Sequence, residues 1–234
     1  MATRKRRAER REEPLSRERI VEAAIELLDV AGESGLTFRA LAERLATGPG
    51  AIYWHVAGKD ELLNAAADAV VAGAMPADTA GAAPREAIRA LALAVFDAVD
   101  AHPWIGNDLS RAPAQSPMLR IFEHLGRQLQ ALGVPRAAQF TAVSALHSYI
   151  LGSGGQNAAN GRLRQFRDQG ANRTEFIDAA AAAWADLDPD EYPFTRDVAD
   201  QLREHDDRSE FLAGIDIILA GIAARWTPSG SAPS

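Results

Sequence analysis

The 234-residue chain contains no cysteine, and only 6% of its residues are aromatic. Without cysteine the protein cannot form a disulfide scaffold, a cysteine-ligated zinc finger, an iron–sulfur cluster or a thiol nucleophile. The sequence also lacks a run of about 18 apolar residues, so we expect no segment that spans a membrane. Glutamates, and not an apolar run, follow the basic start, which argues against a secretion signal and favours a cytoplasmic protein.

Charge is distributed unevenly along the chain, although the net charge is only −7. Residues 1–19 contain eight arginines and lysines against four glutamates, whereas residues 65–234 contain fourteen basic and twenty-one acidic residues. We therefore expect a basic, disordered arm over residues 1–14 that faces a polyanion, attached to a body that avoids polyanions. A solvated tail without a partner is the alternative that charge alone leaves open.

The helical period dominates the sequence and predicts an all-α protein, because no segment sustains the two-residue alternation of a strand. Ser16 and Thr37 are suitable N-caps for the first two helices, and Gly32 is a suitable end for the first. Pro49 suits the first position of a short third helix that continues over residues 50–56. The sequence therefore predicts a compact group of short helices near the N-terminus.

A fourth helix over residues 59–74 leads to a connector rich in proline, alanine and glycine at 76–84, where we place the domain boundary. The pattern beyond it predicts a C-terminal helical domain over 84–226. It also predicts a long polar loop at 155–173 and a disordered tail at 227–234. The helices expected in this domain cover residues 85–101, 103–111, 117–132, 136–155, 174–187, 194–205 and 207–226.

Three short helices joined by tight turns have the dimensions of a helix-turn-helix domain that binds DNA. The third helix places Tyr53, Trp54 and His55 behind the small residues Gly50 and Ala51. Aromatic side chains at this density on a short helix cannot all face one core, so at least one must point outward. The small residues would let the helix approach base edges closely. A hydrophobic corner with half-buried rings is the alternative explanation.

Four segments of this region carry a family resemblance: residues 15–24 (LSRERIVEAA), 35–42 (GLTFRALA), 51–56 (AIYWHV) and 58–63 (GKDELL). With this spacing, residues 15–64 closely resemble the DNA-binding domain of TetR-type transcriptional regulators. The Tyr-Trp-His-Val run most resembles the tetracycline-repressor branch of that family.

The resemblance implies a homodimer whose two recognition helices enter successive major grooves of a pseudo-palindromic, double-stranded DNA operator. Arg39 matches a position that contacts base edges, while Tyr53, His55 and Lys59 match phosphate-contacting positions. The start of the third helix is small where the tetracycline-repressor branch has larger side chains, so we expect few polar base contacts from it. The residues expected to contact DNA are Thr37, Arg39, Thr47, Pro49, Gly50, Ala51, Tyr53, Trp54, His55 and Lys59.

Two segments of the body are nearly devoid of charge. No charged residue occurs over 138–161, and only Asp216 is charged over 211–224. A helix that is apolar on all sides must be covered on all sides, so we expect each segment to bury a second face against a partner subunit, as in the family's four-helix dimer interface. A central core helix of a monomer is the alternative. The predicted dimer contacts are Gly214, Ile218 and Gly221.

The resemblance also implies a small-molecule effector in the C-terminal domain. Aromatic and polar residues of the body helices could line its cavity, although aromatic residues at helical spacing also serve as ordinary core. No two histidines have metal-ligand spacing, so we expect neither a metal site nor a cofactor in the protein itself. The predicted effector-binding residues are His102, Trp104, Phe122, Phe140, Ser144, His147, Gln156 and Trp184, with Tyr149 beside them.

Together these patterns predict a ligand-responsive DNA-binding regulator, namely a repressor that a small molecule releases from its operator. The fold expected is an N-terminal three-helix helix-turn-helix domain followed by a C-terminal helical ligand-binding and dimerisation domain. The sequence shows no nucleophile–base pair, so we do not expect an enzyme. A helical small-molecule-binding protein whose N-terminal domain does not bind DNA is the alternative.

Overall fold

The computed structural model describes residues 14–75, 81–106, 116–167 and 173–226. Within these ranges all regular structure is helical, which confirms the predicted all-α class. Most of the predicted arm (1–13), part of the predicted helix 103–111 and the predicted tail (227–234) lie outside the described residues. The helices are α1 (Arg17–Gly35), α2 (Phe38–Leu45), α3 (Pro49–Tyr53), α4 (Lys59–Ala74), α5 (Pro84–Ala101), α6 (Ser116–Ala131), α7 (Arg136–Arg167), α8 (Arg173–Ala185), α9 (Pro193–Asp197) and α10 (Asp207–Trp226).

The helix ends of the N-terminal domain follow from the local sequence. The Ser16 hydroxyl accepts a hydrogen bond from Arg19 N at 3.3 Å, and Thr37 Oγ1 accepts one from Ala40 N at 3.1 Å. Both bonds satisfy backbone donors that a helix start leaves unpaired. Gly32 adopts a φ of 63°, which interrupts the regular geometry of α1 shortly before its end. The two predicted caps are confirmed, whereas the predicted end of the helix at Gly32 is only a break, since α1 continues to Gly35.

Helix α4 joins the N-terminal domain to the body. Leu62 and Leu63 near its start and Val71 near its end are all buried. The helix packs against α1 in the N-terminal domain and against α5 and α6 in the body. The buried core therefore runs without interruption through both parts of the molecule. Because of this packing, a rotation of α4 must displace the N-terminal domain relative to the body.

The body is built around α5, α6 and α7, which pack against one another, while α10 packs against α5 and α7. Ile88, Ile121, Leu125 and Leu146 lie in this packing and are completely buried. Each buried aliphatic side chain of this size contributes roughly 1.5–3 kcal/mol. The three helices are therefore a firm frame for any cavity in the body. No helix in the described ranges has the length and apolar character needed to cross a membrane.

Two predicted segments of the body are wrong. The expected loop at 155–173 is helical over most of its length, since α7 continues to Arg167. Its polar sequence includes alanine, leucine, arginine and glutamine, which favour helix, and polarity decides exposure and not backbone conformation. The expected helix 194–205 is regular only as far as Asp197. Beyond it, backbone hydrogen bonds span three residues, as from Gln201 N to Val198 O at 3.0 Å, and the chain forms tighter turns.

Candidate functional site

Helices α2 and α3 form a small rigid unit in the N-terminal domain. Leu41 and Ile52 anchor it because both are completely buried. At the end of α2, Ala46 adopts a φ of 53°, and its N–H bonds back to carbonyl groups of the helix. Gly48 is then the N-cap of α3, and Pro49 begins that helix. The chain therefore reverses within a few residues and presents the outer face of α3.

The outer surface of this unit carries large exposed side chains. Trp54 is 90% exposed, and the side chain of Arg39 is 88% exposed. Since α3 ends at Tyr53, Trp54 and His55 lie in the turn that follows and not inside the expected helix. Tyr53 stacks on Phe38 with ring centroids 4.3 Å apart, so its ring is fixed at the surface. An exposed cluster of this kind is typical of a binding surface.

The backbone at the start of α3 is exposed, because Gly48 and Gly50 have no side chains to cover it. A Cβ atom added at Gly48 or Gly50 would meet nothing within 4 Å, so packing inside the subunit does not require glycine there. Small residues at a helix start allow its N–H groups to approach phosphates or base edges. Of the other residues predicted to contact DNA, Thr37 and Pro49 are exposed, and Thr47, Ala51 and His55 are half-buried.

Lys59 has a partner inside the protein. Its ammonium group donates a hydrogen bond to Glu33 O at 2.6 Å and so closes the end of α1. Nearby, Glu61 accepts a hydrogen bond from Ala57 N at 2.6 Å and pairs with Arg17 at 3.2 Å. The hydrogen bond from Ala57 N, followed by Arg17, holds the pKa of Glu61 below its usual value. The phosphate contact of Lys59 stays a prediction. The sequence did not predict its hydrogen bond to the end of α1.

The residues predicted to bind an effector fall into separate groups. His102 and Trp104 contact the N-terminal domain, and Phe122, Phe140 and His147 form a cluster of rings between α6 and α7. The remaining residues are dispersed: Ser144 is half-buried on α7, Trp184 is partly exposed on α8, and Gln156 and Tyr149 line a polar cavity beside α10.

The first group links the body to the N-terminal domain. The Asp29 carboxylate on α1 accepts a hydrogen bond from the Trp104 indole N–H at 2.8 Å. The same oxygen, Oδ1, lies 2.7 Å from His102 Nδ1. Both partners belong to the turn that follows α5, and Trp104 is buried. We call this arrangement the Asp29 bridge. It places two predicted effector residues on the route between the body and α1.

The second group contains a buried histidine without a hydrogen-bond partner on its Nε2 atom. His147 is only 8% exposed, and its ring meets the ring of Phe122 edge-on, with centroids 5.9 Å apart. The ring of Phe140 also lies near Phe122, with centroids 6.0 Å apart, and is itself largely exposed. Burial lowers the pKa of His147, so the imidazole is neutral at neutral pH. A neutral ring with an unpaired nitrogen can bind a polar group of a ligand.

The lowered pKa of His147 predicts how stability depends on pH. The unfolded chain takes up a proton on this residue near pH 6.5, whereas the folded protein does so only at lower pH. The stability that the neutral ring supports is therefore complete above pH 6.5 and is lost as the pH falls through the folded pKa. We expect His147→Phe to flatten the fall in unfolding free energy between pH 7 and about pH 5. Urea titrations at successive pH values would measure it.

Above pH 7.5 the variant and the parent protein should give parallel curves, because His147 is neutral in both states there. Equal slopes on the acid side of pH 6.5 would contradict the assignment of a neutral, buried His147.

Helix α10 has one inward face, on which Phe211, Ile215, Leu219 and Ile222 are buried. Asp216 is bonded to Arg85 and Arg89 on α5 of the same chain. The hydrogen bond from Arg89, together with the nearby charge of Arg85, lowers the pKa of Asp216. Asp216 is the only charged residue over 211–224, and it anchors this part of the helix to its own subunit. The opposite side of α10 is left for other contacts.

The residues of the predicted dimer face differ in what they contact inside the chain. A Cβ at Gly214 would lie 1.9 Å from the hydroxyl oxygen of Tyr149, so this glycine permits a close contact inside the chain. Ile218 is half-buried against the same core. Gly221 is exposed with nothing near it, and Ile217 is 73% exposed. The apolar stripe that α10 exposes consists of Ala213, Ile217, Ala220, Gly221 and Ala224.

Buried polar atoms without partners are features that sequence reasoning missed. Within the described ranges they are Asn64 Oδ1, His147 Nε2 and Asn157 Oδ1, and only His147 was singled out from the sequence. No pattern along the chain marks such atoms, because tertiary packing decides whether a partner reaches them. The described residues hold no group of three histidine or acidic side chains suited to a metal ion.

Comparisons with known proteins cover nearly the whole chain. Residues 20–66 match the family model of bacterial regulatory proteins of the tetR family. Residues 76–226 match the model of the tetracyclin repressor-like C-terminal domain.

Individual relatives agree with these matches. A TetR transcriptional regulator of known structure from Streptomyces coelicolor is 61% identical, has a TM-score of 0.81, and aligns over 90% of this chain and 99% of its own. A curated HTH-type transcriptional regulator of Saccharopolyspora erythraea is 31% identical over 211 residues, which are 90% of this chain and 85% of that protein. Tetracycline repressor protein class C of Escherichia coli is 47% identical over 57 residues, 24% of this chain and 26% of its own length.

Proposed function

The chain belongs to the TetR family of bacterial regulatory proteins, and we propose that it is a homodimeric repressor which a small molecule releases from a palindromic operator. The observation that carries the proposal is the exposed surface of the α2–α3 unit, where the side chains of Arg39 and Trp54 are almost fully exposed. In this role the protein works in the cytoplasm, where the DNA is, and carries no catalytic step.

The geometry of α2 and α3 supports docking in the major groove. The exposed glycines at the start of α3 allow the helix to lie close to the bases. Arg39 can form two hydrogen bonds to a guanine, a contact that discriminates by about 1–3 kcal/mol. Tyr53 and Thr37 lie on the same exposed unit and can bind phosphates, which fix the register of the protein on the duplex. Sequence discrimination therefore depends more on Arg39 than on α3.

A dimer is needed because one short helix contacts only a half-site. Two DNA-binding domains must lie about 34–36 Å apart to enter successive major grooves. The apolar stripe of α10 around Ile217 and Gly221 supports a helix-to-helix interface, since a stripe of small residues lets a partner helix approach closely. Phe140 on α7 is 74% exposed and is a second large apolar side chain that a partner subunit could cover. We place the dimer interface on these two helices.

Release requires that a ligand in the body change the spacing of the two DNA-binding domains. The cluster of Phe122, Phe140 and His147 is our candidate for the effector site, because it combines aromatic rings with an unpaired buried nitrogen. Helix α4 packs on both parts of the molecule and can transmit a small movement. A coupling free energy of about 1–3 kcal/mol would lower operator affinity by roughly 5–150-fold.

The test of this function is binding to labelled DNA from upstream of the protein's own gene, measured by fluorescence anisotropy at low ionic strength. We expect two subunits per site, tighter binding than to a scrambled duplex of the same length, and a steep loss of affinity as salt rises. A thermal-shift screen with antibiotics, acyl-CoA esters and aromatic metabolites should identify a compound that stabilises the protein. Adding that compound should release the DNA.

Failure to bind any duplex at low salt, or a monomer at micromolar concentration, would contradict the proposal. A compound that stabilises the protein without changing DNA affinity would leave DNA binding standing but refute ligand-controlled release.

A further inference from the structure

Helix α2 contains two arginines that use their guanidinium groups differently. Arg44 donates to Glu26 on α1 from both Nε and Nη2, with the Nε bond at 2.6 Å, and so holds α2 against α1. Arg39 lies on the outer side of the α2–α3 unit and donates only from Nε, to Glu43 Oε1 at 3.2 Å. Among the described residues the Nη1 and Nη2 groups of Arg39 have no partner, so both remain available to DNA.

Glu43 is an unexpected residue on a surface that binds DNA. It is the only acidic residue over 36–58, the stretch that contains α2, α3 and the turns beside them. Its side chain is 69% exposed, and among the described residues Arg39 is the only side chain bonded to it. A carboxylate in this position repels the phosphates of every duplex, whatever the base sequence. Folding does not depend on this charge, because an exposed ion pair one helical turn apart stabilises a helix only slightly.

The bond to Glu43 restricts how the Arg39 guanidinium can meet a base. A free guanidinium can donate from its end, through Nη1 and Nη2, or from its side, through Nε and one Nη group. When Nε is bonded to Glu43, the end of the group is the part that stays open. End-on approach directs Nη1 and Nη2 together at one pair of acceptors, such as O6 and N7 of a guanine.

Docking on DNA strengthens this restraint. In the free protein water surrounds both side chains, and an ion pair of this kind is weak. In the major groove the bases displace part of that water, and the lower effective dielectric constant strengthens the attraction between the two charges. A phosphate that approaches Arg39 gains less than a guanine does, because the neighbouring carboxylate of Glu43 repels it.

We propose that Glu43 is a positioning residue for operator recognition. It holds the Arg39 guanidinium end-on toward a guanine, and its charge lowers the affinity for DNA that offers Arg39 no such base. Glu43 acts through Arg39 and contacts no base itself. This role rests on the proposed contact between Arg39 and a base. The start of α3 cannot replace that contact, because Pro49, Gly50 and Ala51 have no polar side-chain group.

The measurement is the ratio of the affinities for the operator duplex and the scrambled duplex, obtained by fluorescence anisotropy with the full-length protein. Glu43→Ala should lower this ratio by about 5-fold, which is the lower end of the discrimination that one bidentate base contact provides. Glu43→Gln removes the charge but keeps an oxygen that can accept from Arg39 Nε, so it should lower the ratio by only about twofold. Both variants should bind scrambled DNA more tightly than the parent protein, because each removes a charge that repels phosphates.

The double variant Arg39→Ala, Glu43→Ala tests whether Glu43 acts through Arg39. In the Arg39→Ala background, replacing Glu43 should leave the ratio unchanged, because the group that Glu43 positions is gone. A further fall of the ratio in that background would show that Glu43 contacts bases itself and would overturn the proposal. It would also be overturned if Glu43→Ala raised both affinities equally, since Glu43 would then act only through its charge.

Glu123→Ala is the matched control, since Glu123 is an exposed carboxylate of α6 that pairs with Arg127 one helical turn away, at 2.7 Å. It should leave the ratio unchanged, and every variant should unfold near the temperature of the parent protein because these pairs are exposed. A parent protein that does not prefer the operator would refute the proposed function, and the role of Glu43 with it. A preference that falls in Arg39→Ala but not in Glu43→Ala would refute the role of Glu43 alone.

Discussion

Arg39→Ala is expected to weaken binding to the operator duplex by about 5–150-fold. The variant loses one bidentate contact to a guanine, and such a contact is worth roughly 1–3 kcal/mol. The side chain is 88% exposed and is bonded to Glu43 by a single ion pair at 3.2 Å. An exposed pair one helical turn apart contributes at most about 0.5 kcal/mol to folding. The variant should therefore unfold at nearly the same temperature as the parent protein.

Arg127 provides a matched control for this experiment. It forms the same type of one-turn ion pair, with Glu123 at 2.7 Å, on the exposed surface of α6 in the body. Arg127→Ala removes the same charge from the protein but no base contact, so operator affinity should change by less than about twofold.

The comparison with a scrambled duplex determines the role of Arg39. If Arg39 contacts bases, its loss should reduce affinity for the operator much more than affinity for scrambled DNA. Equal losses on the two duplexes would show that Arg39 acts only through its charge, and an unchanged operator affinity would place the contact elsewhere.

Asp29→Ala is the second variant with a large expected effect, because it removes the Asp29 bridge. The indole N–H of Trp104 is buried and would lose its acceptor, which costs about 1–3 kcal/mol of unfolding free energy. His102 would lose its partner on α1 as well. Chemical denaturation measures this loss.

The same variant should also uncouple the effector from DNA. The turn that carries His102 and Trp104 belongs to the body, whereas Asp29 belongs to the DNA-binding domain. If this link transmits the effector signal, the ratio of operator affinities without and with the effector falls from its parent value toward one in Asp29→Ala. Binding couplings are reciprocal, so the effect of the operator on effector affinity must fall by the same factor.

Glu22→Ala is the control on the same helix, since Glu22 is an exposed carboxylate of α1. It should leave both the stability and the affinity ratio close to those of the parent protein. A full affinity ratio in Asp29→Ala would show that α4 alone carries the signal and that the bridge is merely structural.

The N-terminal domain was predictable because its determinants are local. Ser16 and Thr37 cap the helix starts within three residues of themselves, and Gly32 interrupts α1, although the helix continues beyond it to Gly35. The end of α3 at Tyr53 was less predictable, because no glycine or proline separates Trp54 and His55 from the helix. Tertiary contacts of Ile52 and Val56, both buried, set that end.

The sequence predicted which types of residue form the candidate sites of the body, but it did not predict which of these residues lie together. His102 and Trp104 have the chemistry of a ligand site, yet both contact Asp29, which lies 73 and 75 positions away in the sequence. On α10, Gly214 lies against Tyr149 of its own chain whereas Gly221 has nothing near it, although the two glycines share a helical face. Periodicity identifies a face without saying what it meets.

The sequence by itself determined the all-α class, the helix caps and the residues of the candidate DNA-binding surface, because each depends on residues a few positions apart. Only the tertiary structure decided where the body residues point. The Asp29 bridge and the unpaired atoms of His147 and Asn157 result from the positions and angles at which distant helices pack. A partner on another helix is fixed by that packing, and no spacing along one helix records it.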